Sequence, residues 1–163
     1  MRDAANNIEP NVRSSRYHIV QSRTRCPQCE TLTPVFTFAV PSGYESRYAD
    51  DGTPDDESGT WEVQGAAAVL MYIEYIPDRV VDRVRELTSH YRLAKESEGD
   101  ATFWINHCAQ CGVQQCEEDL HEFDGPFGPS PVEGPEAVEV HRFNEPLEAR
   151  VGCESSATTP MDS

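Results

Sequence analysis

Four of the six cysteines fall into two Cys-x-x-Cys pairs, Cys26 with Cys29 in "RCPQCE" and Cys108 with Cys111 in "HCAQCG". One tight bend of this kind brings two sulfurs to a single ion. Two bends complete the tetrahedron of thiolates that zinc favours in closed structural sites. Pro27 stiffens the first bend. Gly112, directly after the last cysteine, permits a positive φ from which backbone N–H groups can turn towards sulfur. The chemistry expected is therefore one structural Zn2+ on Cys26, Cys29, Cys108 and Cys111. Redox-active pairs and an iron–sulfur centre are the rivals. A redox Cys-Pro-x-Cys needs its first sulfur at a helix N-terminus, whereas "ETLTPVFTFAV" after Cys29 is β-rich and carries Pro34.

Residues 30–107, 78 in all, separate the two pairs, against about 15–20 in compact sites. Closure entropy grows only logarithmically, so the longer loop costs about 1.5 kcal/mol more. Structural zinc contributes on the order of 10–16 kcal/mol in finger peptides, which outweighs that cost. A tetrathiolate centre carries a net charge of about −2, and Arg23 or Arg25 is expected beside it as partial compensation. His107 adjoins Cys108. Neighbouring residues on a strand point to opposite faces, so His107, like Gly112, is expected next to the ligands rather than among them. Cys116 and Cys153 read as a partly buried thiol and a tail thiol, although His121 near Cys116 leaves a second metal conceivable.

The elements that must position these bends follow from the pattern. "YHIVQS", residues 17–22, and "TPVFTFAV", residues 33–40, read as strands. The apolar run over residues 67–75 reads as a central strand. "PDRVVDRVRELTSHYR" reads as a helix whose first turn holds Pro77 and Asp78. Val80, Val84, Leu87 and Tyr91 form its apolar stripe. "KESEGD" is a turn and "ATFWIN" a strand leading into the second pair. "VQQCEEDLHEF" fits either a strand or a short helix. Around Asn144–Pro146 a terminal hairpin is expected. Residues 1–15 read as a disordered N-terminus, 16–128 as one domain, and 129–163 as a Pro/Gly linker, the hairpin and an acidic disordered tail.

Thirteen basic against 29 acidic residues give a net charge of −16, which repels phosphate backbones and anionic membranes. The acidic stretch 50–57 lacks the spacing of a calcium loop and reads as solvated. No apolar run is long enough to span a bilayer, and no secretory signal opens the chain. These features point to a cytosolic protein with reduced thiols. A four-sulfur site leaves the metal no open position for substrate, and no phosphate loop or catalytic triad spacing is present. The expected role is protein interaction or regulation, with a protein partner. Nucleic-acid association is the alternative: residues 1–29 hold five Arg against Asp3 and Glu9, and Arg13, Arg16 and Tyr17 would form the contact. An enzyme with a carboxylate-lined cleft, using Glu74 or Glu118 with Asp119, is a weaker alternative.

"VQSRTRCPQCETLTPVFTFAVP", "YIEYIP" followed by a helix, and "FWINHCAQCGVQQ" together resemble a class of small bacterial proteins of uncharacterised activity that carry a split zinc ribbon, CPxC … CxxCG. The resemblance spans roughly residues 17–128 and implies the metal and the fold but no reaction. The expected fold is α+β: a β-rich split zinc ribbon with an inserted strand–helix–strand segment, and one amphipathic helix packed on a small antiparallel sheet.

Overall fold

The computed structural model describes residues 9–47, 60–97, 99–122, 125–127 and 138–156. The acidic stretch 50–57, most of the Pro/Gly linker and both chain ends lie outside them. The described chain is α+β and β-rich, with every strand pairing antiparallel. The strands are β1 Val12–Ser14, β2 Tyr17–Arg25, β3 Leu32–Val40, β4 Glu45–Ser46, β5 Glu62–Val63, β6 Ala68–Tyr75, β7 Tyr91–Lys95, β8 Thr102–Asn106, β9 Glu139–Phe143 and β10 Leu147–Ser156. Helix α1 spans Asp78–Leu87 and α2 spans Glu117–Leu120.

Eight strands form one sheet in the order β5-β4-β1-β10-β6-β3-β2-β9, so the sheet is larger than the sequence suggests. β6 is central, pairing with β3 on one side and β10 on the other. The registers explain its shape. β1 and β2 run past β10 and β9 almost without slip, from Val12↔Ala149 to Gln21↔Glu139. Both ribbons break at the same level, at Ser15–Arg16 and at Asn144–Pro146. Because β2 also pairs with β3, and β10 with β6, the sheet curls back towards itself.

The hairpin expected around Asn144–Pro146 is therefore not formed. β9 pairs with β2, and β10 with β1 and β6. Pro146 has no N–H to give a ladder, which suits a break in a continuing strand, and Arg79 donates to its carbonyl from α1. Val12–Ser14 and Glu154–Ser156 likewise join strands where disordered ends were expected, because apolar Val12 and Val151 are fully buried in the core.

One face of the curled sheet carries Tyr17, Ile19, Phe36, Phe38, Leu70, Ile73 and Leu147, and α1 covers it with Val80 and Val84. Each buried valine contributes about 1.5–3 kcal/mol. The helix ends at Leu87, earlier than the apolar stripe suggests. Thr88 turns extended, and its hydroxyl accepts the His90 N–H at 2.9 Å; such local side-chain bonds compete with helix. Tyr91 thus begins β7, yet it still reaches the core, packing on Phe36, Phe38 and Trp104. β7 and β8 form a separate hairpin on this core.

Candidate metal centre

Each cysteine pair sits where a strand ends. Cys26 follows β2 in the turn to β3, and Cys108 follows β8. The two turns have the same internal bonding. Cys26 N–H donates to Thr31 O and Cys108 N–H to Val113 O, both at 2.9 Å. Glu30 N–H donates back to Cys26 O at 2.8 Å and Gly112 N–H to Cys108 O at 2.9 Å. Glu30 and Gly112, the closing residues, both have positive φ, 65 and 84. Gly112 meets the sequence expectation; Glu30 takes the same conformation at the higher cost of a side chain.

These turns bring all four Sγ atoms within 4.8 Å of one another. Cys26 and Cys111 stand 3.7 Å apart, and Cys29 and Cys108 3.6 Å. A tetrahedron with zinc–sulfur bonds of about 2.3 Å has edges of about 3.8 Å, so the donor set fits such an ion. The four cysteines are positioned to bind one metal. Cys26 and Cys108 are buried, Cys29 is half-buried and Cys111 is exposed.

The surroundings already favour thiolate at two positions. Burial opposes ionisation of Cys26, but the N–H groups of Cys29 and Gln28 and the Gln115 amide outweigh it, drawing the thiol down to about 6. The Cys111 N–H, against burial, lowers Cys108 as well. At Cys111 the Val113 N–H pulls downward, but desolvation and the three neighbouring sulfurs push the thiol up to about 12. A dication among the sulfurs reverses that repulsion and releases the remaining protons.

Several supports were not legible in the residue types. Gln115 is buried and points its Nε2 at Cys26 Sγ, 3.5 Å away, and at Val113 O, 3.2 Å away. Buried Thr33 joins the two turns, its Oγ1 accepting the Ala109 N–H at 2.9 Å. Asn106 acts as a substitute strand for β3: its side chain accepts Phe36 N–H at 2.8 Å and donates to Phe36 O at 2.9 Å. Only Asn106, the polar residue that closes the apolar "FWI" before the second knuckle, gives a sequence signal; Thr33 and Gln115 stand among other polar residues.

The expected neighbours divide. Arg25 donates to Glu30 O at 2.8 Å and so braces the first turn. Arg23 lies exposed on β2 opposite Pro34, and among the described residues neither arginine donates to a sulfur. His107 is buried outside the ligand set, its Nδ1 3.0 Å from Ile105 O. Burial and then the charge of Arg92 lower its pKa. Cys116 and Cys153 are both exposed, and Cys153 lies on β10 beside Met71.

Of Arg13, Arg16 and Tyr17, suggested for a nucleic-acid contact, the tyrosine is withdrawn from the surface. Tyr17 is fully buried and donates its hydroxyl to Glu145 at 2.7 Å; its position on β2 faces the core. Arg13 is engaged by Glu45 at 2.6 Å and lies 4.0 Å over the Trp61 ring. Arg16 is half-buried in the break between β1 and β2. Glu74 is half solvated: its side chain is 51% exposed and 4.0 Å from Arg150. Among the described residues the buried carboxylate is Glu117.

No protein-family model, curated protein or solved structure matches this chain. Among the described residues no helix is long and apolar enough to cross a membrane.

Proposed function

We propose that the four cysteines hold one zinc ion as a permanent structural centre, and that the domain so fixed is a cytosolic module that binds a protein partner. The sulfur–sulfur edges of 3.6 and 3.7 Å carry the reading of the centre. They match a closed zinc tetrathiolate, whose filled coordination leaves the metal no substrate position. The resemblance to small bacterial proteins with a split zinc ribbon points the same way. A net charge of −16 favours a partner with a basic surface.

Elemental analysis of protein purified without added metal should give about one zinc per chain. Cobalt exchange should produce the intense thiolate absorption of a four-sulfur site. Zinc well below stoichiometric, or a cobalt spectrum without sulfur bands, would sink the centre. For the partner, salt-dependent binding to a basic polypeptide and none to duplex DNA at low ionic strength is expected. DNA binding with a steep salt slope would overturn the module reading.

A further inference from the structure

The polar groups around the cysteine turns are well paired; a second cluster, where α2 meets β6, is not. Glu117 opens α2 and turns its carboxylate inward, leaving 5% of the side chain exposed. Oε2 accepts the Tyr72 N–H at 3.0 Å. Tyr72 reaches it by bending to φ 56 in the middle of β6. The position across the ladder is Gly152, where a Cβ would stand 2.9 Å from the Tyr72 Cβ.

A buried carboxylate requires a counter-charge or a proton. Among the described residues no Lys or Arg pairs with Glu117. The nearest basic group is His121, with Nε2 3.8 Å from Oε2, too far for a hydrogen bond. Its side chain is 2% exposed and both ring nitrogens lack a partner. Burial holds that ring's pKa down to about 4, so it stays neutral near pH 7 and compensates nothing. Burial likewise raises Glu117 to about 7, although the Tyr72 N–H pulls the other way.

Glu117 also lines a cavity of about 310 Å³, whose walls include Tyr72, Phe103, Glu96 and Glu118. The two rings meet edge to face at 5.1 Å. Two amides on the wall are already committed: Gln114 to Ser97 and Lys95, Gln115 to Cys26 and Val113. What the cavity offers is carboxylate and aromatic face, the combination that attracts organic cations. We propose that this cavity is a binding site for an alkyl ammonium or guanidinium group, its charge on Glu117 and its stem against Tyr72 and Phe103. The ligand supplies a counter-charge in place of the proton that burial otherwise favours on Glu117. An anion would meet three carboxylates, and the volume is small for a nucleotide-sized ligand.

The test titrates the metal-loaded protein at low ionic strength with butylamine and propylguanidine, following heat and the Tyr72 and Phe103 ring resonances. 1-Pentanol is the neutral control. Saturable binding of a cation that shifts both rings is expected, weakened about tenfold or more in Glu117→Gln and absent for pentanol. Glutamine keeps an acceptor for the Tyr72 N–H. Should that variant lose its fold, Phe103→Leu tests the aromatic wall, again with weaker cation binding expected. Capped Gly-Arg-Gly and Gly-Lys-Gly carry the same head groups. Tighter binding of these peptides assigns the cation to a partner's side chain, and tighter binding of the free amines assigns it to a small molecule. No saturable binding of any of the four cations, or unchanged affinity in Glu117→Gln or Phe103→Leu, overturns the proposal.

Discussion

The turn from Cys26 to Thr31 and the turn from Cys108 to Val113 share their backbone bonds, donor for donor, yet they are held in place by different means. The first closes the β2–β3 hairpin, whose ladder is registered from Arg25↔Leu32 back to His18↔Ala39. Its geometry is fixed by a long antiparallel ladder before any metal arrives. The second hangs at the end of β8, which belongs to a two-stranded hairpin outside the main sheet. What anchors that hairpin and its turn is the packing of Tyr91, Trp104 and Phe103, the Asn106 clasp on Phe36, the Thr33 bond to Ala109, and the sulfurs themselves. Identical turns thus serve unequal ends: one is a fixed jaw, the other is brought to it and pinned.

That inequality gives the largest expected effect. Removing the metal with a chelator, or replacing Cys108 by Ser, should cost on the order of 5 kcal/mol or more, a large share of the about 5–15 that hold a domain. Amide exchange should show the loss falling first on residues 88–116, while β2, β3 and β6 keep protection. Simultaneous loss across both turns would break the comparison. Cys153→Ser should change little, since its thiol lies beside Met71 on β10 and outside the four-sulfur set.

Asn106→Ala comes next. It leaves the buried Phe36 N–H and carbonyl without partners, each worth about 1–3 kcal/mol. A drop of about 2–4 kcal/mol in denaturant unfolding is expected at full metal occupancy. If Asn106→Ala is neutral, the hairpin is carried by sulfur, packing and the Thr33 bond to Ala109. Gln115→Leu should act on the metal rather than the fold. Losing the side-chain amide on Cys26 Sγ should weaken metal affinity about 10–100-fold, measured by competition with a chromophoric chelator.

What the sequence disclosed, and what it hid, follows from the range of the forces involved. The sulfurs were legible because metal coordination dictates residue type and spacing locally. β2, β3, β6, β8 and the start of α1 were legible because each carries its own hydrophobic period. The pairing of β9 with β2, and of β10 with β1 and β6, was not, since two short strands near a turn-like Asn-Glu-Pro look like a hairpin until distant partners compete for them. Tyr91 misled for a related reason. Its spacing suits a helical stripe, and its burial is real, but a Thr88 hydroxyl bond four residues after Val84 ends the helix first. Tyr17 was misjudged because an Arg-rich neighbourhood suggests surface, while the first half of β2 is buried on both faces, Tyr17 and Ile19 in the main core and Val20 in a second cluster. Glu117 could not be told from Glu118 by type, and only the tertiary placement of α2 buries one of them.

The smallest effect separates the two turns at a single position. Glu30 and Gly112 close equivalent turns with φ of 65 and 84. A side chain in this region costs about 1–2 kcal/mol, while a glycine gives back about 0.5–1 in unfolded-state entropy. Glu30→Gly should therefore stabilise the metal-loaded protein by about 0.5–1 kcal/mol, its Arg25 contact being to the backbone carbonyl and so retained. Gly112→Ala should destabilise it by about 1 kcal/mol. A Cβ at Gly112 would meet nothing within 4 Å, so that cost isolates the backbone from packing. Opposite signs in denaturant midpoints would show that both turns obey one conformational rule despite their different anchorage. A stabilising Gly112→Ala would mean that the second turn relaxes out of the shared geometry, and that the metal alone holds it there.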